Sequence, residues 1–555
     1  MIGKLGCQAT GKTDGQASPT DWYQINWRKA EGQVRNLRRR IFRAAQRQDW
    51  KQVKNLSRLM LRSYSNLLLS TRRVTQVNKG KDTPGIDGEI ADTPQKRSKL
   101  VDALKGYQPW KAAPVKRVYI PKANGKQRPL GIPTLRDREL QAVVKNALDP
   151  RFEAEFEAKS YGFRPGRSCQ DAIEEVFNAL NNPPPGSNGW ILDADIKGAF
   201  DHICHDFVQN RMGLMPGREL VKQWLKAGYV EWGTLHRTTE GTPQGGVISP
   251  LLANIALDGM QSLLGKGYRF VRYADDFVVM AKTRQEIEQA IPKIASWLQE
   301  RGLELNWEKT RIVHRTQGFH FLGFDVRMYG KKLLIKPQKE KVKTFLSKVK
   351  AWLDGHKMAK TEEVIIHLNP VLRSWALYYR YVVSKETFQQ VDYRIWRMVW
   401  HWARRRHPNK SKRWVFDRYF QKGRPYGAAF YADTEDSRGR RRRLYLVPIS
   451  TIPILRHVKV KGTASPDDPV LDQYWERRRT KLGRHRFARG SKLYRIAERQ
   501  GRKCPGCGQA LFNEEPIDLD HIKLVKEGGT EVEENLQWLH EACHYQKHSQ
   551  QRRVA

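Results

Sequence analysis

The sequence predicts a multidomain α+β protein, and three observations carry that prediction. At 555 residues the chain exceeds what one hydrophobic core holds, so roughly three to five folding units are expected. Short β-rich runs alternate with helical ones from about 106 to 330, whereas the pattern turns helical between about 335 and 406. Three of the six cysteines then gather with histidines in a last unit that begins near 496.

Taken in order, residues 1–20 are polar and Gly-rich and read as a disordered tail, and 21–105 form a basic helical lead-in containing Arg38, Arg39 and Arg40. The body covers 106–332, where Pro-Pro-Pro-Gly at 183–186 is a loop ahead of a strand-like run at 190–196. In 333–420, Phe388, Val391, Ile395, Met398 and Trp402 are spaced to make one apolar helical stripe. The stretch 421–495 is rich in arginine, including Arg438, Arg440 to Arg443 and Arg477 to Arg479, and 496–555 is the unit with the cysteines. Residues 401–500 hold 27 Lys and Arg against 9 Asp and Glu, interleaved with Trp414, Phe416, Tyr419, Phe420 and Tyr445.

The whole chain carries 101 Lys and Arg against 58 Asp and Glu, a formal charge of +43. Such an excess repels itself unless a polyanion lies alongside, so nucleic acid is the expected partner. No run approaches the ~18 apolar residues of a spanning helix, and no apolar signal segment opens the chain. A cytoplasmic protein with no membrane partner is therefore expected. The cysteines are too few and too scattered for a disulfide framework.

Two acidic sites carry the chemistry. Tyr273-Ala274-Asp275-Asp276 sits between the apolar runs 268–271 and 277–280, as at a hairpin tip. Adjacent carboxylates in an apolar surround repel unless cations neutralise them, and hard divalent ions suit carboxylate oxygen. The strand-like run 190–196 offers Asp195 as a third ligand; Asp193 lies two residues earlier on the same strand face, and Asp201 falls where the next turn or helix is capped. Two metals held by three carboxylates suit phosphoryl transfer from a nucleoside triphosphate to a 3′-hydroxyl.

A series of blocks then resembles the reverse transcriptase and maturase proteins encoded by group II introns. They are Tyr119-Ile-Pro-Lys122 with Lys126-Gln-Arg-Pro-Leu-Gly-Ile-Pro133, Ser160-Tyr-Gly-Phe-Arg-Pro-Gly-Arg-Ser168, the Asp195 block, Gly241-Thr-Pro-Gln-Gly-Gly-Val-Ile-Ser-Pro-Leu-Leu-Ala-Asn254, and Tyr-Ala-Asp-Asp. The resemblance implies right-hand polymerase fingers and palm over 106–332, with Asp195, Asp275 and Asp276 binding two Mg²⁺. It implies that Lys122 and Arg128 clamp the incoming triphosphate, that Gln244 contacts the nucleotide, that Lys309 sits near the metals, and that 319–324 is the hairpin gripping the primer end. Phe200 stands where reverse transcriptases set a ring against the sugar 2′ carbon, so a ribose hydroxyl is excluded and deoxynucleotides are favoured. The run 368–380 resembles the start of the family's maturase thumb, assigned to 333–420, and 421–495 fits its DNA-binding region.

Near the C-terminus, Cys504-Pro-Gly-Cys507 and His540-Glu-Ala-Cys543 are two ligand pairs at the spacing of a tetrahedral, structural Zn²⁺ site. Between and after them, Asp520-His521, Asn535 and His544 resemble the HNH nuclease motif of the small ββα-metal fold. That resemblance implies His521 as general base, Asp520 and His544 as ligands of Mg²⁺ or Mn²⁺, and Asn535 as the residue orienting His521. His548 is left as a solvated histidine.

Together these features imply an RNA-directed DNA polymerase with splicing and DNA endonuclease activities, working on intron RNA, target DNA, an RNA template with a DNA primer, and deoxynucleotides. Three rivals are a catalytically silent splicing scaffold, against which the three intact acids stand, a stand-alone bacterial reverse transcriptase, against which the thumb block and HNH unit stand, and an RNA-dependent RNA polymerase, against which Phe200 stands.

Overall fold

The computed structural model describes residues 19–105, 110–121, 125, 127–181, 189–424, 427–435, 441–484, 486–487, 490–513 and 515–554. Residues 1–18 of the tail, the loop at 183–186, Lys122, Arg438 and Arg440 lie outside them, whereas Thr20, the last residue of the expected disordered tail, is buried and its hydroxyl donates to Asp102 Oδ1 at 2.6 Å.

Three N-terminal helices, Trp27–Gln46, Trp50–Leu61 and Tyr64–Arg72, open with Asn26, Asp49 and Ser63, whose side chains accept from backbone N–H groups of the first turn. Along the first, Trp27, Ala30, Val34, Ile41 and Ala45 recur at helical spacing and are buried, while most of the basic residues lie on the opposite side. These helices pack on the long helix Leu135–Glu155, capped by Thr134.

The central sheet has four antiparallel strands in the order Arg269–Tyr273, Asp276–Ala281, Trp190–Asp195, Arg311–His314. Side chains alternate across it, so it is covered on both faces. Leu192, Ala194, Phe277 and Val279 face a core shared with the N-terminal helices, whereas Ile191, Val278 and Met280 face a second core. That second core runs through the three-stranded sheet Phe319–Phe321, Phe324–Tyr329 and Lys332–Pro337 into the helices Lys339–Gly355, Thr361–Tyr379 and Lys385–Arg405. On the last of these, Phe388, Val391, Ile395, Val399 and Trp402 are buried, and Met398 is half-buried at the edge of the stripe.

A separate four-stranded sheet also forms. The hairpin strands Val115–Pro121 and Gln127–Ile132 join Tyr229–Glu231 and Thr234–His236. Within the arginine-rich stretch, strands Phe420–Arg424, Gly427–Glu435 and Arg441–Tyr445 form a sheet that packs on the helix Thr361–Tyr379. Further along, Asp171 is fully buried and accepts from His457 Nε2 at 2.9 Å, Val460 N at 2.7 Å and Arg478 Nη2 at 2.7 Å. Burial opposes its ionisation, but the His457 bond and the Arg478 charge hold its carboxyl near pKa 2. This ionic knot fastens 457–478 to the body of the protein.

At the C-terminus, Ile517–His521 pairs antiparallel with Leu536–His540, and the helix Glu541–Val554 packs across both, a ββα unit. No helix among the described residues is long and apolar enough to cross a membrane.

Candidate catalytic sites

Strand register brings the three acids together. Asp195 is paired directly with Asp276, and Asp275 occupies the two-residue turn linking the strands Arg269–Tyr273 and Asp276–Ala281. That turn places Ala274 at φ +58°, the left-handed region. Its strain is supported from below. Arg272 is fully buried, and one of its Nη1 hydrogens reaches the Ala274 carbonyl at 3.1 Å, another the Asn254 Oδ1 at 3.2 Å. Asn254 in turn donates to the Gly162 carbonyl at 2.9 Å. A Cβ on Gly162 would meet the Ala274 nitrogen at 2.3 Å, so only glycine lets that loop lie against the acidic turn. Arg272, Asn254 and Gly162 form a cradle whose role is invisible in the motifs that contain them.

Burial, followed by the charges of Asp275 and Asp195, pushes the Asp276 carboxyl up to about 7. Burial also raises Asp275, opposed in part by the charges of Arg128 and Lys309. Asp193 is pushed up to about 7 mainly by burial, and the charge of Arg311 pulls it down. Asp195 Oδ2 accepts from Lys309 Nζ at 2.5 Å and Asn306 Nδ2 at 3.0 Å. Asn306 N also donates to the Asp195 carbonyl at 2.8 Å, so one loop clasps the strand end; Asn306 is a contact that strand and helix patterns do not announce. Clustered carboxylates with raised pKa values are short of positive charge, and the donor set fits divalent cations.

Around these acids, Arg128 projects from the hairpin strand Gln127–Ile132 and is exposed. The Gln244 carbonyl accepts from Gly131 N at 2.9 Å and fastens the Pro-Gln-Gly-Gly turn to the same strand. Gly245 stands at φ +130° with its Cβ direction 2.6 Å from the Gly131 carbonyl, an approach a larger residue would block. The Phe200 ring is half-buried and meets Phe163 edge-on at 6.1 Å, and its carbonyl accepts from Thr242 N at 2.6 Å. Arg128, Phe200, Gln244 and Lys309 thus come from four segments.

In the C-terminal unit, Cys504, Cys507, His540 and Cys543 are buried with donor atoms within 4.8 Å of one another, a set compatible with tetrahedral zinc. Gly506 leaves room for it, since a Cβ there would lie 2.9 Å from the Cys543 Cβ.

A second cluster joins Asp520, His544 and His548, again within 4.8 Å. His548 Nε2 lies 3.1 Å from Asp520 Oδ1 and 2.9 Å from His544 Nε2. Its neighbourhood is therefore not bulk solvent, because an i,i+4 step on the helix Glu541–Val554 sets both imidazoles on one face. That spacing was the available signal. The other carboxylate oxygen of Asp520 accepts from Gln537 Nε2 at 2.9 Å and Lys547 Nζ at 2.7 Å. Burial opposes ionisation, yet these bonds hold Asp520 below the usual carboxylate range. His521 is half-buried with Nε2 3.7 Å from Glu531 Oε1. Asn535 does not bond the His521 ring: its side chain accepts from Lys523 N at 2.8 Å and donates to the Lys523 and Thr530 carbonyls at 3.0 and 2.7 Å, and its own carbonyl accepts from Ile522 N. It fixes the loop that follows His521.

Comparison with known proteins defines the class first: the reverse transcriptase (RNA-dependent DNA polymerase) family matches residues 120–326, and the N-terminal domain of reverse transcriptase matches 22–104. The maturase-specific domain of group II introns matches 342–420, and the HNH endonuclease family matches 504–550. Protein YkfC of Escherichia coli is 34% identical over 339 residues, 52% of this chain and 88% of that protein. The group II intron-encoded protein LtrA of Lactococcus lactis is 29% identical over 427 residues, 57% of this chain and 68% of that one. Telomerase of Candida tropicalis matches at 15% identity and a TM-score of 0.31, over 40% of this chain and 54% of that one. The chain belongs to the group II intron-encoded reverse transcriptases and maturases that carry a C-terminal HNH endonuclease. It has reverse transcriptase, splicing and endonuclease roles in intron mobility, with RNA as a partner.

Proposed function

We propose that the protein works by target-primed reverse transcription: it assists splicing of its intron RNA, the HNH unit nicks a DNA strand, and the palm extends the released 3′-hydroxyl along the RNA with deoxynucleotides. The observation that carries this reading is one chain holding both an acid triad on a reverse-transcriptase sheet and a second nuclease cluster. It acts in the cytoplasm, at the nucleoid when engaged with DNA.

Asp195, Asp275 and Asp276 would hold the catalytic cations, and Lys309 and Asn306 fix the Asp195 carboxylate through Oδ2. Two Mg²⁺ ions held by these carboxylates would supply positive charge that favours deprotonation of the 3′-hydroxyl and offsets the charge of the leaving pyrophosphate. Arg128 and Lys122 clamp the triphosphate, Gln244 touches the nucleotide, and Phe200 excludes a 2′-hydroxyl by bulk. The hairpin around Leu322 and Gly323 grips the primer end.

In the nuclease, His521 takes a proton from the attacking water, Asn535 fixes the loop behind it, and Asp520, His544 and His548 hold the metal. Mg²⁺ or Mn²⁺ there supplies charge at the scissile phosphate. Cys504, Cys507, His540 and Cys543 hold structural Zn²⁺. The units divide as tail 1–20, basic helices 21–105, fingers and palm 106–332, thumb 333–420, DNA-binding stretch 421–495 and nuclease 496–555.

Raised carboxyl pKa values make cation binding pH-dependent. A carboxyl pushed above its ordinary value keeps its proton in the folded, metal-free protein until about pH 7, and a cation must displace that proton. The Mg²⁺ concentration for half-maximal primer extension is therefore expected to fall as pH rises from 6 to 8, by up to about tenfold per unit below the pKa. A flat dependence would show Asp276 ionised throughout.

The test of the whole scheme is to incubate the protein and its intron RNA with target DNA, then sequence the junction. Complementary DNA joined covalently to the nicked strand supports it, and only unjoined products contradict it.

A further inference from the structure

The helix Asp472–Arg484 and the turn before it present Val470, Gln473, Tyr474, Arg477, Arg478 and Lys481 at three- and four-residue steps, hence on one face. That face meets the body of the protein at Arg478, which is buried against Asp171. It borders a cavity of about 490 Å³ whose opposite wall is Tyr381, Leu455, Arg456 and Val458. The volume lies within the range of about 300–1,000 Å³ seen for small-ligand sites.

Two tyrosines stand among aliphatic side chains in its walls, and its rim is cationic. Tyr474 is anchored by its hydroxyl, which accepts from Lys461 N at 2.9 Å, and Tyr381 packs edge-on against His457 at 5.2 Å. Arg478 is buried, with Nη2 on Asp171 and Nη1 on the Val458 carbonyl, so it is a fixed floor. Arg456, Arg477 and Lys481 are exposed; Arg456 lies 3.8 Å from Glu174, and Arg477 Nη2 donates to Gln473 Oε1 at 3.5 Å. Two preset rings with cations at the mouth match one nucleobase and its phosphates.

We propose that this cavity binds a single unstacked nucleotide of structured RNA, the base against Tyr381 and Tyr474 and the flanking phosphates on Arg477 and Lys481. RNA is chosen over DNA on two grounds. Bulges and loops of folded RNA present splayed bases without cost, whereas a duplex must break its stack to fill a concave site. The Tyr381 wall also directly follows the helix Thr361–Tyr379 within the maturase-specific match, and the facing residues Leu455 to Lys481, inside the stretch 421–495 otherwise assigned to DNA, take RNA at this one pocket. The site rests on the chain being an RNA binder, and it is separate from the palm and the nuclease.

The test uses the full chain and an RNA hairpin with one bulged 2-aminopurine, its fully paired counterpart, and the same bulged hairpin made of DNA. The wild type is expected to bind the bulged RNA about tenfold more tightly than the paired one, a gain of 1.4 kcal/mol, with the 2-aminopurine emission quenched by stacking. Gln473→Trp, which fills the cavity from an exposed position, and Arg477→Ala are each expected to remove that preference and the quenching, with thermal unfolding as the check on folding. Equal binding of bulged and paired RNA by the wild type overturns the proposal, as does a preference that survives both substitutions. An equal preference for bulged DNA overturns the choice of RNA. Failure to bind any hairpin overturns the cavity and the RNA-binding reading together, an outcome distinct from equal binding.

Discussion

Asp275→Asn is expected to lower DNA synthesis by roughly a thousandfold while leaving binding to intron RNA unchanged. Asparagine keeps the size of the side chain and its carbonyl oxygen, so the turn at 274–275, held by Arg272 and Gly162, stays formed. What is lost is one negative charge from the adjacent pair Asp275 and Asp276, whose carboxyls are raised by burial and by repulsion from neighbouring carboxylates and so favour a bound cation. Loss of several kcal/mol of charge stabilisation, at 1.36 kcal/mol per tenfold in rate, gives about that factor. Single-turnover extension measured beside a filter-binding assay checks it. Wild-type extension by the variant would remove Asp275 from the metal site.

His521→Ala should stop DNA-strand cleavage and leave polymerisation on a supplied primer untouched. A general base contributes about 10²–10⁴-fold, and His521 stands at the end of the strand Ile517–His521, beside Asp520 and clear of the buried zinc-type ligands. Truncating it therefore removes the base without loosening the fold. Cleavage of a labelled target and extension of a primer, measured on one preparation, separate the two activities. Loss of both together would mean that the nuclease and polymerase sites are not independent.

How legible these sites are in the sequence depends on whether the needed residues are neighbours along the chain. Asp275 and Asp276 are adjacent and flanked by apolar runs, so the hairpin and its acids can be read directly, and Asp195 follows from the alternation in its strand. The cysteine pairs are legible for the same reason. Asn306 is not, because it reaches Asp195 only after the chain returns through the helix Arg284–Gln299. The Arg272, Asn254 and Gly162 cradle is hidden likewise: a buried arginine looks like any strand cation until its partners close over it. His548 was within reach from its i,i+4 spacing to His544. The strands within 420–445 are masked by arginine content, although Phe420 and Phe430 supply the apolar face that packs them on the helices. The knot around Asp171 joins residues nearly 300 positions apart, and no local pattern foretells it.

The most direct test of the central assignment is primer extension on an RNA template with Mg²⁺, with deoxynucleotides in one reaction and ribonucleotides in another. Product from deoxynucleotides alone is the expected result, and it would agree with Phe200 excluding the 2′-hydroxyl beside a working acid triad. No product from either, with tight binding to structured RNA retained, would contradict the polymerase account and leave the HNH unit as the protein's catalytic site.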